Sequence, residues 1–192
     1  MAMMSSCGTA ETQSVDKASV VIENIMTRKS VRAYDGREVE PKVVETLLRA
    51  GMAAPTAMNR QPWDFVAVTD KEVLEKLAAE PALSRAPVSK NCPLVIVVCG
   101  NMEKAAEGKG QEYWIHDTSA ATENILLAAH AMGLGAVWCA GQPNEDRIEA
   151  LRNVLGLPSY VTPLNLICIG YPAEEPAVKD KWKEENVHYN KW

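Results

Sequence analysis

The 192-residue chain has no apolar run long enough to cross a membrane; even its longest helical pattern, residues 113–132, carries Glu123 and Asn124 in its middle. No transmembrane segment is therefore expected. It also lacks any Cys-x-x-Cys pair. The five cysteines, Cys7, Cys92, Cys99, Cys139 and Cys168, are odd in number, and the last three lie in apolar, strand-like stretches. They read as buried thiols, which excludes a disulfide framework and a cysteine metal site. The three histidines, His116, His130 and His188, show no metal-ligand spacing and read as helix-surface or interface residues. No metal is expected. Excess positive charge is missing too: 20 Lys and Arg against 25 Asp and Glu give a net charge of -5, which argues against a nucleic-acid partner. A dinucleotide signature is begun but not completed. Gly133-Leu134-Gly135-Ala136-Val137-Trp138 puts tryptophan where G-x-G-x-x-G needs its third glycine, and these glycines close a helix instead of opening one.

What remains is an ordinary globular composition, 47% hydrophobic and 23% charged, consistent with a single domain over residues 17–192. Residues 1–16 stand apart. Met-Ala-Met-Met-Ser-Ser-Cys followed by Gly8 and a polar stretch reads either as a disordered tail or as the remnant of a lipoprotein signal. The first reading goes with a cytoplasmic protein, the second with an exported one anchored through Cys7.

Along the domain, Val20, Val21, Ile25 and Met26 recur at helical spacing, predicting a helix over residues 17–27 with one buried face. Pro41 opens a second helix carrying Val43, Val44, Leu47, Leu48 and Met52 on one face. A strand follows over residues 63–69, then a helix capped by Asp70 and a continuous apolar strand over residues 93–99. Residues 100–110 read as an exposed, charged excursion. After the long helix, Gly133 is its C-cap and residues 134–139 form a strand; a helix over 144–154 and a buried strand over 164–169 complete the pattern.

Four stretches carry chemistry. Arg28-Lys29-Ser30-Val31-Arg32 gathers three cations and a hydroxyl. If the segment is extended, Arg28, Ser30 and Arg32 share one side, where they can grip a phosphate, and Lys29 points away. Residues 53–63 form a two-proline loop whose Thr56, Asn59 and Gln61 offer donors and acceptors to a flat polar ligand. Gly141, after Ala140, permits close backbone approach. The tail after residue 173 carries Lys179, Lys181 and Lys183 with the aromatics Trp182, Tyr189 and Trp192, a composition suited to wrapping a partner subunit. Cys139, beside Gly141, lies in an apolar strand and reads as inert packing.

Taken in order, the 28–32 cluster, Ala54-Pro55-Thr56-Ala57-Met58-Asn59-Arg60-Gln61-Pro62-Trp63, the helix bearing Asp117, Ala120, Asn124, Leu127 and Ala128, and Ile169-Gly170-Tyr171-Pro172 before a basic tail resemble the FMN-dependent nitroreductase family from about residue 20 to Trp192. The resemblance implies an α+β fold with a central, mostly antiparallel sheet flanked by helices, and a C-terminal extension that wraps the partner subunit of a homodimer. FMN would sit at the subunit interface. Arg28 and Ser30 would meet its phosphate and ribityl chain, Arg32 would lie beside its pyrimidine edge, and Lys29 counts among the cofactor-binding residues. Pro55, Thr56, Ala57 and Asn59 would come from the other subunit. The Ala140-Gly141 backbone would face flavin N5, and Lys179 and Lys181 would close on the phosphate. Arg85, Lys90 and Asn91 are all candidates for one further flavin contact.

The implied activity is ping-pong reduction of nitroaromatics, quinones or related flat acceptors by NADH or NADPH, with no protein nucleophile or metal. The flavin carries the hydride while the protein supplies position and charge. Within the superfamily, reductive dehalogenation and flavin fragmentation are the alternatives. A flavin-binding redox sensor without turnover is the reading from a different class.

Overall fold

Leu94 to Cys99 have no exposed surface, because they lie on a central strand, β2 (Leu94–Asn101), covered by helices on both faces. The computed structural model describes residues 16–192; Cys7 and the lipoprotein reading lie outside the described residues. The sheet has the order β1-β2-β4-β3, with β1 (Trp63–Val68), β3 (Gly135–Ala140) and β4 (Val161–Gly170). All three pairings are antiparallel, with Val66 opposite Val97, Val97 opposite Leu166 and Ala136 opposite Ile169.

Side-chain alternation divides the core in two. Val95, Val97, Leu166, Cys168 and Val137 pack with Leu74 and Leu77 of α3 (Lys71–Ala79) and Leu151 of α5 (Glu145–Leu155). On the opposite face, Ile96, Val98, Ile167 and Ile169 pack with Leu47 of α2 (Pro41–Met52) and with Ile125, Leu126 and Ala129 of α4 (Tyr113–Ala131). The result is the expected α+β architecture, with a sheet held between helix pairs.

Local chemistry sets the boundaries. Pro41 occupies the first turn of α2; the Asp70 side chain accepts from the Val73 amide at 3.0 Å, and that of Asn144 from Arg147 at 3.0 Å. Pro163, which cannot donate to a ladder, sits where the β2–β4 register shifts and beyond the last residue paired to β3.

Two expectations change. In α1 (Lys17–Thr27) no residue is buried: Val20, Val21, Ile22, Ile25 and Met26 are all about half exposed or more. The helix lies outside α4, tied by the Asn24 amide donating to Leu127 O at 3.1 Å, so its apolar stripe meets none of this chain's core. The 100–110 segment is less exposed than its charge predicts. Asn101, Ala105 and Ala106 are buried, and Trp114 stacks so close to Gly100 that a Cβ there would lie 2.2 Å from the indole.

Candidate functional site

The basic cluster begins where α1 stops. Arg28 leaves the helix at φ -56°, ψ 134°, and the chain then lies along the outer edge of β3. Ser30 forms a single parallel bridge to Ala136, and the Val31 amide donates to Ala136 O at 3.1 Å. Val31 and Tyr34 point inward and are buried. They dock over Gly135 and Gly170, a register pair: a Cβ on Gly135 would meet Val31 Cγ1 at 2.6 Å, and one on Gly170 would meet Tyr34 at 3.0 Å. The Tyr34 hydroxyl lies 2.9 Å from the Val31 and Cys168 carbonyls, to which it donates, and burial pushes its phenol pKa up.

The tail returns beside this arm. The Ala173 amide donates to Ala33 O at 3.0 Å, and the Arg32 amide donates to the Glu174 carboxylate at 2.9 Å. Arg28, Lys29, Ser30 and Arg32 thereby line one wall of a cleft of about 280 Å³, whose other wall is Pro176, Ala177, Lys179 and Lys181. Cations separated by some 150 positions in sequence converge on one small volume. That is the donor set of an anion site, and a hydroxyl with several charge-assisted donors suits a phosphate ester.

Lys29 lines the same cleft as its neighbours, contrary to the alternation expected of a strand. Within residues 28–32 only Ser30 is bridged, so a strict two-residue period does not govern the cluster, and the Lys29 ammonium pairs with the Glu175 carboxylate of the tail. Arg28 Nε pairs with Glu123 of α4 at 3.1 Å. No ion pair among the described residues involves Arg32, Lys179 or Lys181. Sequence reasoning missed all three carboxylates, Glu123, Glu174 and Glu175, since nothing in their local pattern points across the fold.

Behind the arm, Thr27 Oγ1 donates to Glu23 O at 2.7 Å and lies 2.9 Å from His130 Nε2, so the imidazole N–H is the donor in that pair. Burial, then Lys29 and Arg28, hold the His130 pKa below its ordinary value.

The two-proline loop lies elsewhere. Pro55, Thr56, Ala57 and Asn59 line no part of the basic cleft. Met58, Asn59 and Gln61 adopt left-handed φ of 53°, 54° and 50°, a cluster that ordinary residues avoid. It is held by the Ala57 amide donating to buried Asp117 at 2.9 Å, and by the Gln61 amide and side chain donating to Thr56 Oγ1 and Asn59 Oδ1 at 3.1 and 3.0 Å. The loop is cross-linked by these bonds, and Met58 projects from it, 67% exposed.

The backbone after β3 departs from expectation. The Gly141 amide, expected to face a ligand, donates to Leu164 O at 2.8 Å, and a Cβ on Gly141 would lie 3.0 Å from Pro163 O. A side chain there would crowd strand β4, and Ala140 O accepts from Arg147 Nη1 at 2.8 Å. Cys139 is half-buried; the Cys168 thiol beside it, with Arg32 and Arg147, lowers its pKa. Arg85, Lys90 and Asn91 do not reach the basic cleft: Lys90 O accepts from the Tyr34 amide, and Asn91 lines a separate cleft with Gly36, Leu74 and Val88.

The nitroreductase family profile matches residues 25–82 and 79–171, which contain the arm, the loop, α4 and all four strands. The chain belongs to the nitroreductase family. It is 39% identical over 174 residues, 90% of this chain and 87% of the relative, to a Methanothermobacter thermautotrophicus protein provisionally named NADH dehydrogenase/NAD(P)H nitroreductase. A crystal structure from Parabacteroides distasonis with the same provisional name superposes with a TM-score of 0.82 at 43% identity, covering 90% of this chain and 99% of that one. An FMN-dependent nitroreductase from Clostridium difficile superposes with a TM-score of 0.79 at 31% identity, covering 89% and 99%. The family match stops at residue 171, so the tail that supplies Lys179 and Lys181 to the cleft lies beyond it.

Proposed function

We propose that this nitroreductase-family oxidoreductase binds FMN by its phosphate in the basic cleft and reduces nitroaromatics, quinones or related flat acceptors at the expense of NADH or NADPH. The observation that carries this reading is the convergence of Arg28, Lys29, Ser30 and Arg32 with Lys179 and Lys181. Bound FMN would supply the hydride chemistry, taking two electrons from the nicotinamide and passing them to the acceptor.

The chain's own residues position and tune. Arg28, at the end of α1, and Ser30, bridged to β3, orient the phosphate, while Lys29, Lys179 and Lys181 add charge from both walls. Arg32 is two residues farther along, without a carboxylate partner among the described residues, and supplies a cation toward the ring. Gly141 is assigned no ligand contact because its amide serves Leu164.

In this reading the protein is a homodimer. The exposed stripe of α1 and the exposed aromatics Trp182, Tyr189 and Trp192 belong to the subunit interface, and the hydrogen-bonded 55–59 loop reaches the partner's cofactor. Among the described residues no helix is long and apolar enough to cross a membrane.

Steady-state rates measured while NADPH and a quinone are varied together test this reading. Parallel double-reciprocal lines, and loss of FMN retention in Arg28→Ala, are expected. Intersecting lines with FMN retained undiminished by the variant would count against it.

A further inference from the structure

Three carboxylates that do not line the cleft itself hold its arm from behind and beside it. Glu175 pairs with Lys29, Glu123 with Arg28, and Glu174 accepts the Arg32 amide. Of the five cations, Arg28 and Lys29 are paired with carboxylates, Glu174 holds the Arg32 backbone amide, and Asp180 lies between Lys179 and Lys181 in the chain, so the cluster keeps only a small positive excess. A phosphate monoester carries about -1.5 to -2 at neutral pH. A small excess suits that charge.

We propose that Glu174 and Glu175, with Glu123, are specificity-determining residues that fit the cleft to a single phosphate monoester and turn away the more heavily charged pyrophosphate group. The inference rests on the reading that the cleft holds the FMN phosphate. Its physical basis is repulsion of the wrong ligand. A cation cluster without carboxylates binds any anion more strongly as the anion's charge rises, whereas fixed negative charges beside Arg28, Lys29 and the Arg32 backbone penalise added ligand charge. The carboxylates come from two elements, α4 for Glu123 and the tail for Glu174 and Glu175. The effect can therefore be probed at two independent places.

The experiment is FMN binding by flavin fluorescence quenching, with riboflavin as the uncharged comparison and inorganic phosphate and inorganic pyrophosphate as competitors, at several salt concentrations. Wild type is compared with the Glu174→Gln, Glu175→Gln double variant and, separately, with Glu123→Gln. In the double variant, pyrophosphate is expected to displace FMN at a concentration lower by on the order of tenfold, and the salt dependence of FMN binding to steepen. Riboflavin binding is expected to stay where it was, and Glu123→Gln to shift pyrophosphate competition in the same direction by about threefold.

Equal pyrophosphate competition in all three proteins would overturn the proposal. So would FMN and riboflavin affinities falling together in the double variant, since the tail carboxylates would then only hold the chain in place. Wild type that binds FMN no more tightly than riboflavin would remove the phosphate-cleft reading itself, a result distinct from the other two.

Discussion

Gly135 and Gly170 carry a large share of the site's geometry although neither touches the cleft. As a register pair they leave the space into which Val31 and Tyr34 descend, and this fixes the backbone on which Arg28, Ser30 and Arg32 stand. Gly135→Ala puts a methyl 2.6–2.7 Å from Val31. Urea denaturation is expected to show a loss of about 1–3 kcal/mol, with FMN affinity reduced as the arm moves outward. His130 gives a residue-scale dependence on pH. Its pKa in the folded chain lies below the ordinary value of 6.5. Its neutral form is therefore favoured by folding, and that contribution is complete above about pH 6.5 and lost as pH falls toward the folded value. His130→Gln should flatten the decline in thermal stability on the acid side of that window. A variant whose melting temperature falls as steeply as wild type between pH 7 and 5 would contradict this.

At the scale of elements, most of the fold was legible in the sequence because its signals are local. Asp70 and Asn144 cap helices, Gly133 stops one, and the apolar run over residues 93–99 is the strand at the centre of the sheet. Asp70→Ala is expected to cost about 1 kcal/mol by loss of the bond to the Val73 amide, measurable by chemical denaturation. The basic arm was legible for the same reason, since its cations adjoin in sequence. What was not legible depends on long-range partners. Lys29 turns to the cleft because Glu175 lies there, and the Gly141 amide is taken by Leu164 of a neighbouring strand. The buried face predicted for α1 assumed that an apolar stripe meets its own chain's core. Tail and arm form one site through long-range links, among them the Arg32–Glu174 and Ala33–Ala173 bonds and the Lys29–Glu175 pair. Stopping the chain after Pro172 removes Lys179 and Lys181 together, and FMN affinity should fall by at least about tenfold with little change for riboflavin.

The whole molecule presents apolar groups on α1 and aromatic groups in the tail that its own core leaves exposed. The same chain carries the hydrogen-bonded 55–59 loop outside the cleft. The proposed homodimer would account for both, by covering the stripe and bringing the loop of one copy to the cofactor of the other. Ile25→Glu, a charge placed on that stripe, should shift the sedimentation coefficient toward a monomer and release FMN in parallel. A dimer that persists with FMN in place would show that α1 is not the interface.

The central claim, that the cleft between arm and tail holds the phosphate of a flavin which a nicotinamide reduces, is tested most directly by the visible absorption spectrum of the purified protein. It is incubated with FMN, freed of unbound cofactor and followed anaerobically as NADPH and then NADH are added. The account predicts retained flavin bands that bleach with at least one donor and return when a quinone is supplied. A protein that retains no flavin after this incubation, or retains it and bleaches with neither donor, would contradict the account.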